Sequence, residues 1–247
     1  GLLDGPYVYY YDNQVLNVSG YYSQGKKTGK WTWYTNQGNR DMEGDFKDDK
    51  QQGDWVYWYP TGELSYTAHY SLGLKTSVWT YFYKNGQKFK EGSFEADEKH
   101  GIWKTWYENG VLLMEGSYEK GKEQGEWINN WEDGTLKNKT TFKNGKLNGR
   151  WASYFPTGKI KMSGQYDDDL KIGEWIDYFE NGKPRDIVNY KIFKEKSGID
   201  FGIMKNRTHI DSKKHGHTIS FSSKDYQKTE EGDYHEGLKE GEWTAYY

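Results

Sequence analysis

No cysteine occurs in the 247 residues and proline occurs only four times, and no apolar run approaches the roughly 18–20 residues that a membrane-spanning helix needs. Without cysteine there is no disulfide, no thiolate metal site and no thiol nucleophile, which fits a reducing compartment or an exported protein held together by other means. Net charge is small as well. The 34 basic and 37 acidic residues, formally −3, are interspersed, so no broad basic face is expected and nucleic acid is not expected as a partner. The opening GLLDGPYVYY has neither an initiating Met nor a signal-peptide pattern. It reads as the start of a processed or truncated product, favouring the cell envelope or export over the cytoplasm.

Apolar residues make up only 34% of the chain, a share that suits disorder, but 12 Trp, 23 Tyr and 10 Phe contradict it. The apolar area therefore comes mainly from rings, set among 30 glycines. Such a mixture points to β-strands with many turns and away from helical bundles.

A 24-residue ruler organises the rest. Gly5, Gly29, Gly53, Ser77, Gly101, Gly125, Gly149 and Gly173 fall on its place 0 without a gap. Place 2 carries Trp31, Trp55, Trp79, Trp103, Trp127, Trp151 and Trp175, with Tyr7 in the first copy, and place 17 is always aromatic, from Tyr22 to Tyr190. Turn residues recur at place 9 (Gly86, Gly110, Gly134, Gly182) and at place 20 (Gly25, Asp49, Gly73, Asp97). Each copy reads as strand, turn, strand, turn. Asn85-Gly86, Asn109-Gly110, Asp133-Gly134 and Asn181-Gly182 suit two-residue type I′ turns, in which both central residues need positive φ; Asn144-Gly145 suits the same turn between copies. With such a turn Tyr107 pairs with Leu112, Trp103 with Gly116 and Gly101 with Tyr118. Each Trp is then expected to lie over the glycine opposite it, a Tyr over the place-0 glycine, and Leu112 on the face of Trp103.

Place 5 supplies a second aromatic row on the other face: Tyr34, Trp58, Phe82, Trp106, Tyr154 and Tyr178, broken by Asn130. Two readings stay open, cross-strand stabilisation of the sheet and a partner-binding stripe. Ala68 and Thr140 replace the mid-strand glycine and Asn129-Asn130 replace aromatics, so the copy at 125–148 is expected to be a weak point.

Residues 1–196 thus form eight regular repeats, and 197–247 hold degenerate ones: a worn copy at about 197–215, another from Gly216, and a terminal half-repeat that restores Gly241 and Trp243. From 191 to 216 there are seven basic and three acidic residues, with His209, His215 and His217 near one another. His215-x-His217 can place two imidazoles on one strand face, making these three weak metal candidates beside a structural role or contact with an acidic partner. The last strand, with Trp243, Tyr246 and Tyr247, is read as an unpaired edge open to another chain.

No Ser-nucleophile elbow, zinc-protease motif or phosphate-binding loop occurs. Neither catalysis nor a cofactor is expected. The repeated G-x-W-x-x-aromatic-aromatic-x-N-G pattern, from Gly5 to about residue 196, resembles the bacterial variant of the MORN repeat, as in YwqK-type antitoxin-like proteins. That resemblance implies an all-β, elongated, twisted, single-layer antiparallel sheet of tandem hairpins. It also implies a scaffold for protein partners, sometimes tied to membranes, without catalytic residues. The reading is a non-enzymatic interaction scaffold in a larger, envelope-associated assembly. In it the place-2 row, Trp243 included, is structural and the place-5 row binds. Peripheral membrane association fits the same picture. The alternatives are a glycan- or choline-binding surface module using exposed aromatics, and an antitoxin-type protein that neutralises a partner.

Overall fold

The computed structural model describes residues 1–196 and 208–246, and the side chains of 194–211 lie outside that description. Among the described residues there is no helix, and all extended segments pair antiparallel. Two compact units divide at Lys122 and Glu123. The first contains β1 (Gly5–Tyr10), β2 (Leu16–Ser23), β3 (Lys26–Tyr34), β4 (Arg40–Lys47), β5 (Lys50–Trp58), β6 (Leu64–Ser71), β7 (Leu74–Phe82), β8 (Lys88–Glu95), β9 (Glu98–Trp106) and β10 (Leu112–Glu119). Each pairs with the next.

The second contains β11 (Lys122–Asn130), β12 (Leu136–Lys143), β13 (Lys146–Tyr154), β14 (Ile160–Asp167), β15 (Leu170–Tyr178), β16 (Pro184–Lys196), β17 (Thr208–Lys214), β18 (Gly216–Phe221), β19 (Lys228–His235) and β20 (Leu238–Ala245). The regular hairpins run to β16. There the expected worn copy gives way to a longer strand, whose outer part pairs with β17 and whose inner residues Asp186 and Ile187 pair with β18. Residues 197–207 of that copy lie outside the described set. β18, β19 and β20 resume the hairpins from Gly216, as expected.

The turn between repeats is type I′ as expected, with Asn144 at 53° and Gly145 at 83°, but the turn within a repeat is not. Within a repeat, the amide of Gly110 donates to the Tyr107 carbonyl and that of Tyr107 to the Val111 carbonyl, which makes a three-residue loop closed by a left-handed glycine. Only the glycine has positive φ, 84° at Gly110; Asn85, Asn109, Asp133 and Asn181 stay outside that region. These residues serve as acceptors instead, Asn109 Oδ1 taking the Val111 amide at 3.0 Å and Asp133 Oδ1 that of Thr135 at 2.8 Å. The type I′ geometry belongs between repeats, where both central residues are left-handed, as at Asp48 (51°) and Asp49 (67°).

The longer loop and a bulge after it change the register. Leu112 pairs with Trp106 and not with Tyr107, while Trp103 with Gly116 and Gly101 with Tyr118 hold as expected. Paired residues share a face, so Leu112 lies with Trp106, opposite Trp103.

Place-0 glycines answer a backbone need. A Cβ at Gly29, Gly53 or Gly101 would meet nothing within 4 Å, so no tyrosine covers them, but φ there is +62° to +70°. Ser77 takes the same conformation at 60° without being glycine. Ser77→Gly is therefore expected to raise stability by about 0.5–1 kcal/mol, read as a higher urea midpoint; an unchanged or lower midpoint would show that the bulge does not strain serine.

The place-2 tryptophans interlock successive repeats. Although Trp103 is Cα-paired with Gly116, its indole lies over Gly92 of the preceding repeat, where a Cβ would come 2.1 Å from the ring. The same holds for Trp31 over Gly20, Trp55 over Gly44, Trp175 over Gly164 and Trp243 over Gly232. Each of these indoles donates its N–H to a carbonyl ten residues back, as Trp103 does to Ser93 at 3.1 Å. Place-17 rings close the sides edge-on, Phe46 at 5.1 Å and Tyr70 at 6.0 Å from Trp55. Trp31 and Trp55 are each only 1% exposed.

Departures from glycine show what the niche tolerates. Ala68 is buried together with Trp79, which keeps its N–H bond to His69 at 3.3 Å. Thr140 is not accommodated in this way. It pairs directly with Trp151, its hydroxyl is buried without a partner, and Trp151 is half-buried with no recorded acceptor for its indole N–H among the described residues. The expected weak point is thus located at the Thr140–Trp151 step.

Candidate functional site

The two faces differ in what their rings are used for. Tyr34, Trp58, Phe82, Trp106, Tyr154 and Tyr178 are all half-buried, and among the described residues none of these rings touches another ring. Their cross-strand partners are long or aliphatic: Arg40 for Tyr34, Leu64 for Trp58, Lys88 for Phe82 and Leu112 for Trp106. Cations lean on two of them, Arg40 over Trp58 at 5.7 Å and Lys88 over Trp106 at 5.9 Å. The backbone beneath the row is fixed by the preceding repeat, since Tyr11, Tyr59 and Tyr83 donate their hydroxyls to the carbonyls of Tyr34, Phe82 and Trp106, each at 2.8 Å. Ion pairs between strands lie on this face, including Lys30 with Glu43 at 2.9 Å and Lys104 with Glu115 at 3.1 Å.

The Trp face carries a stack that the linear sequence hides. Tyr57 lies on Tyr66 at 4.0 Å and 11°, and Tyr66 on Tyr81 at 5.4 Å. Burial and the neighbouring Tyr70 push the Tyr66 hydroxyl up to about 12, and burial also raises Tyr57, Tyr70 and Tyr81. For an acid whose folded value is raised, the stabilisation is complete below its unfolded value of about 10 and is lost as pH climbs through the folded one. The urea midpoint is therefore expected to fall between about pH 10 and pH 12; a midpoint that does not move across that window would contradict the buried stack.

Lysines cap the Trp-face rings. Lys27 lies over Trp31 at 4.7 Å, Lys75 over Trp79 at 5.0 Å, Lys99 over Trp103 at 4.9 Å and Lys171 over Trp175 at 4.2 Å. All four occupy place 22, a signal present in the sequence. The two-residue turn between repeats pairs place 22 with the place-17 ring and so puts these lysines on the Trp face.

The histidines separate. His215 sits against Phe193 at 5.5 Å and His235 at 5.1 Å, while His217 faces Glu231 at 3.6 Å and Asp233 at 3.4 Å. The side chain of His209 lies outside the described residues. Among the described residues no three His, Asp or Glu side chains are placed to share a metal. Trp243 repeats the interlock over Gly232; Tyr247 falls outside the described residues.

The model of the MORN repeat variant family matches residues 51–71, 99–120, 123–144, 147–168 and 171–191. No curated protein matches the chain in sequence. Among solved structures, a chain of the "Crystal Structure of TcdB2-TccC3-Cdc42" is similar over 97% of this chain at 12% identity and a TM-score of 0.20. This chain spans only 15% of that one, and a score so low carries no argument.

Proposed function

We propose, on the premise that this chain belongs to the proteins that carry MORN repeat variants, that it is a scaffold that binds protein partners and performs no chemistry of its own. One observation carries the reading. The place-2 tryptophans are consumed by packing, with Trp55 1% and Trp103 3% exposed, whereas the place-5 rings keep part of their surface open, apart from one another, on a repeating frame. Rows of separate aromatic anchors on a rigid support are what protein interfaces use most, because a ring with two rotatable bonds loses little freedom on docking.

Trp58→Ala and Trp106→Ala are expected to leave the melting temperature within a few degrees of the parent and to weaken a captured protein partner by roughly tenfold or more. Crosslinking from these positions followed by titration of the recovered partner makes the measurement. Undiminished affinity in both variants would remove the row from the interface. Specific retention on a glycan array, lost in the same variants, would replace a protein partner with a glycan.

A further inference from the structure

Charge that is mixed along the sequence is sorted by face in the first unit. Three paired rows make up its Trp face, running through Trp33, Tyr57 and Tyr81, through Trp31, Trp55 and Trp79, and through Phe46, Tyr70 and Phe94. Lys27, Lys75, Lys90 and Lys99 occupy ladder positions in these rows, and Asp and Glu occupy none. Among the described residues none of the four lysines is in an ion pair, although the opposite face pairs Lys30, Lys88 and Lys104 with glutamates.

The carboxylates nearest these rows lie at the rim. Asp49 and Asp97, in the turns between repeats, spend an oxygen on the backbone amides of Lys27 and Lys75, each at 2.8 Å. Asp41 holds a bulge position outside the ladder, and its charge helps raise the Tyr66 hydroxyl. No broad basic face was expected from the sequence; the register gathers these four lysines on one face of the first unit.

The four ammonium groups are also held in place. Lys90 lies 4.8 Å from the Tyr81 ring and 5.8 Å from Trp103, which Lys99 covers from 4.9 Å. Burial, then the charge of Lys99, lowers Lys90 from its ordinary value, in keeping with two crowded cations that lack a counter-charge. Side chains already settled on rings and partly desolvated lose little more on pairing with an anion.

We infer that this lysine-capped face of the first unit docks an acidic polypeptide segment whose carboxylates pair with Lys75, Lys90 and Lys99. A polypeptide fits better than single-stranded nucleic acid. Stacked bases need open ring faces, and Trp31, Trp55, Trp79 and Trp103 are only 1–3% exposed. What the face offers is ammonium groups and the hydroxyls of half-buried tyrosines, both donors to carboxylates. The surface is distinct from the place-5 row, so either can fail without the other.

The test titrates the full chain with fluorescent poly-L-glutamate over a series of salt concentrations. The parent is expected to bind, more weakly as salt rises, and Lys75→Gln/Lys90→Gln/Lys99→Gln to lose about tenfold or more in affinity. Lys30→Gln/Lys47→Gln/Lys104→Gln, on the opposite face, is expected to change it by less than about twofold. Equal loss in both triple variants, or no binding by the parent at low salt, overturns the inference. So does tighter binding of single-stranded DNA, heparin or phosphatidylserine vesicles than of poly-L-glutamate at equal charge. If the glutamine variant loses its melting transition, Lys75→Arg/Lys90→Arg/Lys99→Arg decides: retained binding supports the face and lost binding overturns it.

Discussion

Trp55→Ala is expected to cost the first unit about 3–5 kcal/mol, the range for deleting a large buried ring. Three separate losses contribute. The side chain is 1% exposed, so its removal leaves a cavity between repeats that cannot collapse without shifting Gly44. Its indole N–H bond to the Asp45 carbonyl at 3.2 Å disappears, leaving that acceptor without this donor. The edge-on contacts with Phe46 and Tyr70, at 5.1 and 6.0 Å, lose their shared centre. Because successive repeats are coupled through such rings, the loss should spread to β4 and β6. Amide exchange read strand by strand would show it. Exchange that speeds up only in β5 would mean the repeats are held together by backbone pairing alone.

Gly92→Thr is expected to cost roughly 2–4 kcal/mol, because its side chain would occupy the space of the Trp103 ring. A Cβ at Gly92 would lie 2.1 Å from that ring. The protein contains both halves of the comparison. Alanine at 68 leaves Trp79 at 3% exposure, whereas threonine at 140 accompanies a half-buried Trp151 and a buried hydroxyl without a partner. The reciprocal change, Thr140→Gly, should stabilise the second unit and shift Trp151 fluorescence to shorter wavelength. Denaturant midpoints of the two variants that move in the same direction would refute the steric account.

The limits of sequence reading here have one physical source. Periodicity alone identified the hairpins and the Trp row, since each depends on residue type at a fixed spacing. Register did not follow from type alone. Asn109-Gly110 fits a two-residue turn and a three-residue loop equally well, and the difference of one residue sends Leu112 to the other face. Cα pairing was misleading in another way. Trp103 and Gly116 are partners in the ladder, but a side chain as long as Trp leans across to Gly92, so the ring packs on the glycine of the neighbouring repeat and meets its own repeat edge-on through Tyr118.

Both faces depend on that lean. It buries most place-2 rings, while the place-5 rings stay partly exposed, and it gives the place-22 lysines rings to rest on. Nuclear Overhauser contacts from the Trp103 indole protons, in a sample with selectively labelled tryptophan and glycine, test it most directly. Strong contacts to the Hα protons of Gly92 are expected. Contacts from the same ring to Gly116 with none to Gly92 would contradict the interlock, and with it the assignment of the place-2 rings to packing between repeats.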